Sequence, residues 1–136
     1  MQKIAFLTLL SSLSLFAHTL TIEVTNIKNN SGQILMGLFN QVEGFRDINM
    51  TYKKGIITTL NKNIVYTFTD IPNGEYAVSL FHDENNNDKI DTNFIGIPKE
   101  GYGVSNNIHP TLRAPTFKET KFQLSTDTNL TIEMNY

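Results

Sequence analysis

An all-β fold, a single antiparallel β-sandwich of about seven strands in the immunoglobulin-like or prealbumin-like manner with one long Asn/Gly/Pro-rich loop, is what this sequence predicts. Three observations predict it. From Thr19 onward the apolar residues alternate in short runs, the period of half-buried strands. Clusters of Asn, Asp, Gly and Pro part these runs at short intervals. No segment carries the pattern of a long amphipathic helix, so the crossover helices that a parallel sheet needs are missing. The chain has 136 residues, 40% of them hydrophobic and 18% charged, which suits one packed core and leaves no room for a second.

Met1-Gln2-Lys3 is a short positive start, and Ile4 to Phe16 is apolar apart from Thr and Ser. This is the pattern of an export signal, and Ala17 supplies the small residue that a signal peptidase needs before its cut. The expected division is a signal peptide over residues 1–17 and a β-sandwich domain over 18–136. Leu15, two positions before Ala17, is large for its place, which leaves cleavage after Ser14 open. The apolar run is short for a permanent membrane helix, and no later segment is long and apolar enough to be one. A periplasmic or secreted product is expected. With no cysteine, disulfides, thiolate ligands, a lipid-anchoring cysteine and a Cys nucleophile are all excluded. The formal charge of −2 and the absence of any basic cluster longer than Lys53-Lys54 argue against nucleic acid.

Leu20, Ile22 and Val24 face one way, and Ile34, Met36 and Leu38 repeat the pattern after Asn29-Asn30-Ser31-Gly32, so the two runs read as a hairpin. Val42 to Asp47 suits a helical turn with Phe45 facing inward. Ile56 to Leu60 reads as a strand, Asn61-Lys62-Asn63 as a turn, and Ile64, Tyr66 and Phe68 as the next inward face. Asp70 to Gly74 is a further turn, after which Tyr76, Val78 and Leu80 resume the alternation as far as His82. The last strands are Lys121 to Leu124 and the run through Leu130, Ile132 and Met134. Between them, Asp83 to Pro115 has little periodicity, and a structureless connection of that length is functional or tied down.

The sharpest chemical signal lies at the start of that connection. In Asp83-Glu84-Asn85-Asn86-Asn87-Asp88-Lys89-Ile90-Asp91, side-chain oxygens recur at Asp83, Asn85 and Asn87, with Asp91 eight residues after the first. A loop wound around a hard cation presents oxygens at this spacing, with the backbone carbonyl serving at Lys89, and Ca2+ is the natural ion; Mg2+ dehydrates too reluctantly for such a cage. Phe94 stands where an EF-hand loop needs its last carboxylate, so the loop is not an EF-hand, and Asp88 replaces the usual turn glycine. The competing reading is a hairpin tip whose side chains bond to their own backbone and bind nothing.

Other residue types open two further classes. His18, if it became the mature N-terminus, would offer an amino group and an imidazole to copper or another transition metal, with His82 or His109 completing the site. Ser105, His109 and Asp83 or Asp91 supply the types of a small hydrolase, and Asp91 with Glu100 forms a carboxylate pair for acid/base work. No G-x-S-x-G elbow, H-E-x-x-H helix or phosphate-cradling glycine loop supports an enzyme, and Gly101-Tyr102-Gly103 reads as a turn. Tyr102, Phe94 and Phe117 either form an apolar patch for a peptide or glycan or pin the long loop to the sandwich.

Asp70-Ile71-Pro72-Asn73-Gly74-Glu75-Tyr76-Ala77 and Phe81-His82-Asp83-Glu84-Asn85, with Gly96 to Gly103 and Ser105-Asn106-Asn107, form a pattern that resembles the bacterial family called domain of unknown function 2141. The resemblance spans nearly all of residues 18–136. It implies an exported single-domain sandwich, and it implies no activity and no catalytic residue. Asn86 and Asp88 stand where that family often has glycine. Together these readings favour a noncatalytic binding or structural module, a protein or glycan its expected partner and calcium its expected ion.

Overall fold

The computed structural model describes residues 16–58 and 60–136, so the leader expected over residues 1–17 lies outside the described residues except for Phe16 and Ala17. Eight strands account for the described fold: β1 (Ala17–Thr25), β2 (Gln33–Phe39), β3 (Lys53–Ile57), β4 (Ile64–Pro72), β5 (Gly74–Asp83), β6 (Tyr102–Val104), β7 (Phe122–Leu124) and β8 (Thr128–Glu133). One four-residue helical turn, α1 (Phe117–Thr120), and two three-residue 3-10 turns complete it. The strands form two sheets, one in the order β4-β1-β8 and one in the order β3-β2-β5-β6, with β7 paired to the first residues of β5. The expected all-β sandwich is what the chain adopts.

The core follows from the alternation. Leu20, Ile22 and Val24 of β1, Phe68 and Ile71 of β4, and Ile132 of β8 meet Ile34, Met36 and Leu38 of β2 and Val78 and Leu80 of β5. All are essentially without solvent contact. Each such side chain contributes about 1.5–3 kcal/mol relative to exposure, and this drives the two sheets together.

Several expectations are corrected. β1 and β2 do not form a hairpin, because β1 is bonded on both edges by β4 and β8 and β2 on both edges by β3 and β5. Residues 26–32 instead arch from one sheet to the other. Ile27 is buried under the arch and donates its N–H to Lys62 O at 3.1 Å, and Asn26 and Gly32 take positive φ of 62° and 69°. A Cβ on Gly32 would run into the Asp83 carbonyl, so only glycine fits there.

Nor is every pair antiparallel: β1 and β8 run parallel from Leu20↔Thr128 to Thr25↔Glu133. The whole intervening chain serves as their crossover, so no dedicated helix is needed. The strand expected at Ile56 to Leu60 is shifted to Lys53–Ile57. Gly55 lets that backbone pass under the Tyr66 ring, whose Cε1 would lie 2.7 Å from an added Cβ. The turn expected over Asp70 to Gly74 is a corner in which only Asn73 separates β4 from β5, since these strands belong to different sheets. Tyr76 closes it by donating to Pro72 O at 2.8 Å. The helical turn expected at Val42 to Asp47 is a pair of backbone turns leading into a 3-10 turn at Ile48–Met50, capped by the Asp47 carboxylate.

The second face of the larger sheet is covered as well. Phe39, Ala77 and Phe117 are buried there with Phe45 against them, and the Phe45 ring meets Phe39 and Phe117 edge-on at centroid distances of 5.2 and 5.8 Å. Phe45 therefore does face inward. β2 and β5 are buried on both faces, which explains the unbroken apolar run Ile34-Leu35-Met36 and Ala77-Val78.

Candidate functional site

β5 ends at Asp83, and there the chain leaves the sheet for a loop organised by two buried carboxylates, Asp83 and Glu100. Asp83 is wholly buried; its Oδ1 accepts from Asn87 N at 3.1 Å and its Oδ2 from Asp88 N at 2.9 Å and Gln33 Nε2 at 2.8 Å. Gln33 also reaches Asp88 Oδ1 at 2.8 Å, so the first residue of β2 braces the turn. Asn86 and Asp88 adopt φ of 55° and 61°, left-handed positions that Asn and Asp tolerate better than most residues.

Glu100 closes the other side. It is 7% exposed, and its two oxygens accept from Glu84 N at 3.1 Å and Asp91 N at 3.0 Å. Burial pushes its carboxyl above the ordinary range and the nearby Asp91 and Asp83 charges add to this, while the two backbone N–H groups oppose it. In the sequence Glu100 reads only as half of an acid/base pair with Asp91; its bonds to the Glu84 and Asp91 backbone show it holding the loop.

Asn85, Asn87 and Asp91 are joined by side-chain hydrogen bonds. Asn85 Nδ2 donates to Asp91 Oδ2 at 2.6 Å and Asn87 Nδ2 to Asp91 Oδ1 at 2.8 Å. Asn87 and then Asn85 thereby hold the Asp91 carboxyl below the usual carboxylate range. The carboxamide oxygens are held by the turn's own backbone, Asn85 Oδ1 accepting from Asn87 N at 3.3 Å and Asn87 Oδ1 from Lys89 N at 3.2 Å. Asp83 joins this group through the backbone of the turn. No three His, Cys, Asp or Glu side chains converge at metal-binding distance among the described residues.

The remaining candidates are dispersed. His18 lies in β1, with Nε2 hydrogen-bonded to Asn73 Oδ1 and Nδ1 3.9 Å from Asp127. His82 is fully buried; Nδ1 meets the Tyr136 hydroxyl and Nε2 the Ser31 carbonyl, each at 2.7 Å. The Ser31 carbonyl can only accept, so Nε2 donates to it; in the neutral ring Nδ1 then accepts from the Tyr136 hydroxyl, which itself accepts from Lys28 N at 3.0 Å. Ser105 is buried, its Oγ accepting from Val78 N at 3.0 Å and donating to Thr120 O at 2.5 Å, while His109 packs edge-on against Tyr102. No hydrogen bond joins Ser105 to His109 among the described residues.

The three aromatics divide. Phe117 pins α1 to the sheet, whereas Phe94 is 99% exposed and pins nothing. Tyr102 sits in β6, so Gly101-Tyr102-Gly103 enters a strand where a turn was expected. Its glycines admit the Tyr136 ring over Gly101 and Ile132 over Gly103.

Above the outer face of the larger sheet, the arms 90–98 and 110–115 enclose an open cleft of about 650 Å3, floored by Ser79, Phe81 and Tyr102. Nothing in the sequence periodicity points to it, because its walls are loops brought together from two places.

Fold and site define a small two-sheet β module whose long connection is organised by buried carboxylates and roofs one sheet. The chain belongs to the family described as an uncharacterised protein conserved in bacteria (DUF2141), whose model matches residues 22–133. No curated protein and no solved structure matches the chain.

Proposed function

We propose that this is an exported, noncatalytic binding or structural module, periplasmic or secreted, in which the 83–91 turn takes up calcium and so fastens the connection behind it to the sheet. The supporting observation is the gathering of Asn85 and Asn87 within 2.6 and 2.8 Å of the Asp91 carboxylate. The donor chemistry suits a hard cation. Asp83 Oδ1 carries one hydrogen bond and keeps a lone pair, Asp91 supplies two oxygens, and the Lys89 carbonyl accepts no hydrogen bond among the described residues.

Binding has a cost. The two carboxamides must turn over, exchanging the N–H groups that now hydrogen-bond to Asp91 for their oxygens, and the turn bonds to Asn87 N and Lys89 N are lost. Affinity in the range of about 0.1–1 mM, that of extracellular modules, is the expected consequence. At the tighter end, millimolar calcium adds about 1.4 kcal/mol by mass action.

The test is thermal unfolding in EDTA and in 1 mM calcium. A rise of roughly 3–7 °C is expected for a domain of this size, and it should vanish in Asp91→Ala. Equal melting temperatures in the two buffers would remove the ion from the proposal.

The alternatives have no specific observation in their favour. A hydrolase needs a hydroxyl beside a base, and among the described residues Ser105 bonds only to backbone groups. A transition-metal site on His18 needs the other histidines beside it, and His82 and His109 have separate partners.

A further inference from the structure

The cleft over the larger sheet joins three features that the carboxylate-held turn does not explain. Its walls are mainly aliphatic, with Ile90, Ile95 and Ile97 on one arm and Leu112 on the other. These side chains lack the cover that apolar groups find in a core: Leu112 is 96% exposed, Ile95 64% and Ile97 55%. At the rim stand two guanidinium groups in different states. Arg113 is bound by both oxygens of Glu119 at 2.6 and 2.9 Å, whereas Arg46 has no ion pair among the described residues.

We infer that the cleft binds a single-chain amphiphile with an anionic head, its acyl chain lying between the two arms and its head group on Arg46. The volume falls within the 300–1,000 Å3 of small-molecule sites. Neither arm contributes an aromatic side chain to the lining, whose aromatics Phe81, Tyr102 and Tyr136 come from β5, β6 and the last residue, so the walls suit a flexible chain better than a flat ring system. Dispersion contacts with such walls discriminate poorly between apolar chains, so the charge at the rim decides which amphiphile is held. Arg46 is suited to this because its guanidinium can meet a carboxylate or phosphate with two parallel hydrogen bonds.

Glu100 also borders the cleft, but it is 7% exposed, its two oxygens accept the Glu84 and Asp91 backbone N–H groups, and it forms no ion pair with Arg46 among the described residues. Docking of the arm tips into a lipid surface is disfavoured by shape: that mode uses protruding side chains and would leave the hollow between them unfilled.

This inference rests on the reading of the chain as a noncatalytic binding module and does not require the ion, so its test is run in EDTA. Calorimetric titration with dodecanoate below its micellar concentration should show one saturable site. Arg46→Gln should weaken dodecanoate at least tenfold while moving dodecanol less than twofold. Leu112→Asp, at an exposed position, should abolish binding of both with an unchanged melting temperature. Absence of saturation, equal binding of dodecyltrimethylammonium, or binding only to phosphatidylglycerol vesicles would each overturn the inference. Any of these results leaves the calcium-dependent melting shift standing, whereas loss of that shift with dodecanoate binding intact removes the ion alone.

Discussion

Asp83 is a buried carboxylate held by two backbone N–H groups and the Gln33 carboxamide. Asp83→Ala should therefore cost about 2–4 kcal/mol, because it strands donors in a site that water does not reach. Urea unfolding would check this, and Gln33→Ala, which leaves the two backbone bonds in place, should cost about 1 kcal/mol. Asn86 makes the complementary case. At φ 55° it occupies a place that glycine fills without strain, so Asn86→Gly should be neutral or stabilise by up to about 1 kcal/mol, and Asn86→Val should destabilise. Glu119 governs a pH effect. Arg113, then the Thr116 backbone N–H, lower its pKa from 4.5 to about 2. A depressed carboxylate contributes stability that is complete above its unfolded pKa and is lost as pH falls through the folded one. The melting-temperature difference between the protein and Glu119→Gln should accordingly shrink between about pH 4.5 and 2. Of these residue roles, the oxygen spacing from Asp83 to Asp91 was legible in the sequence. Glu100 was not, because its partners Glu84 and Asp91 are backbone N–H groups that no side-chain pattern reveals.

At the scale of elements, the termini of short segments carry the information. α1 begins with a capping box: Thr116 Oγ1 accepts from Glu119 N at 3.3 Å and the Glu119 carboxylate accepts from Thr116 N at 3.0 Å. The string Thr116-Phe117-Lys118-Glu119 is its sequence signature, and it was available to be read. Thr116→Ala should cost about 0.5–2 kcal/mol and loosen Phe117 from the outer face of the sheet, visible as faster hydrogen exchange at Lys121 N. The arch between β1 and β2 gives the opposite lesson. Asn29-Asn30-Ser31-Gly32 has hairpin composition, yet the arch passes between sheets, since turn residues report only that the chain bends. Gly32→Ala should destabilise by about 1–3 kcal/mol from the backbone alone, and further from its collision with the Asp83 carbonyl.

Across the whole molecule, the last strand closes the first sheet. β8 pairs in parallel with β1, and Ile132 is fully buried opposite the larger sheet. Ile132→Ala should cost about 2–5 kcal/mol despite lying four residues from the C-terminus, whereas Val65→Ala on the exposed side of β4 should stay within about 0.5 kcal/mol. The C-terminus is drawn in further by Tyr136, whose hydroxyl bridges Lys28 N and the buried His82. The sequence by itself determined the β class, the two inward faces of the core and the family, because alternation and turn chemistry are local and each strand writes its own period. The sheet partners, the parallel closing pair, the Glu100 anchor and the cleft between the arms were decided only by tertiary structure. They depend on residues distant along the chain meeting in space, and burial, hydrogen-bond satisfaction and sheet packing select those meetings collectively.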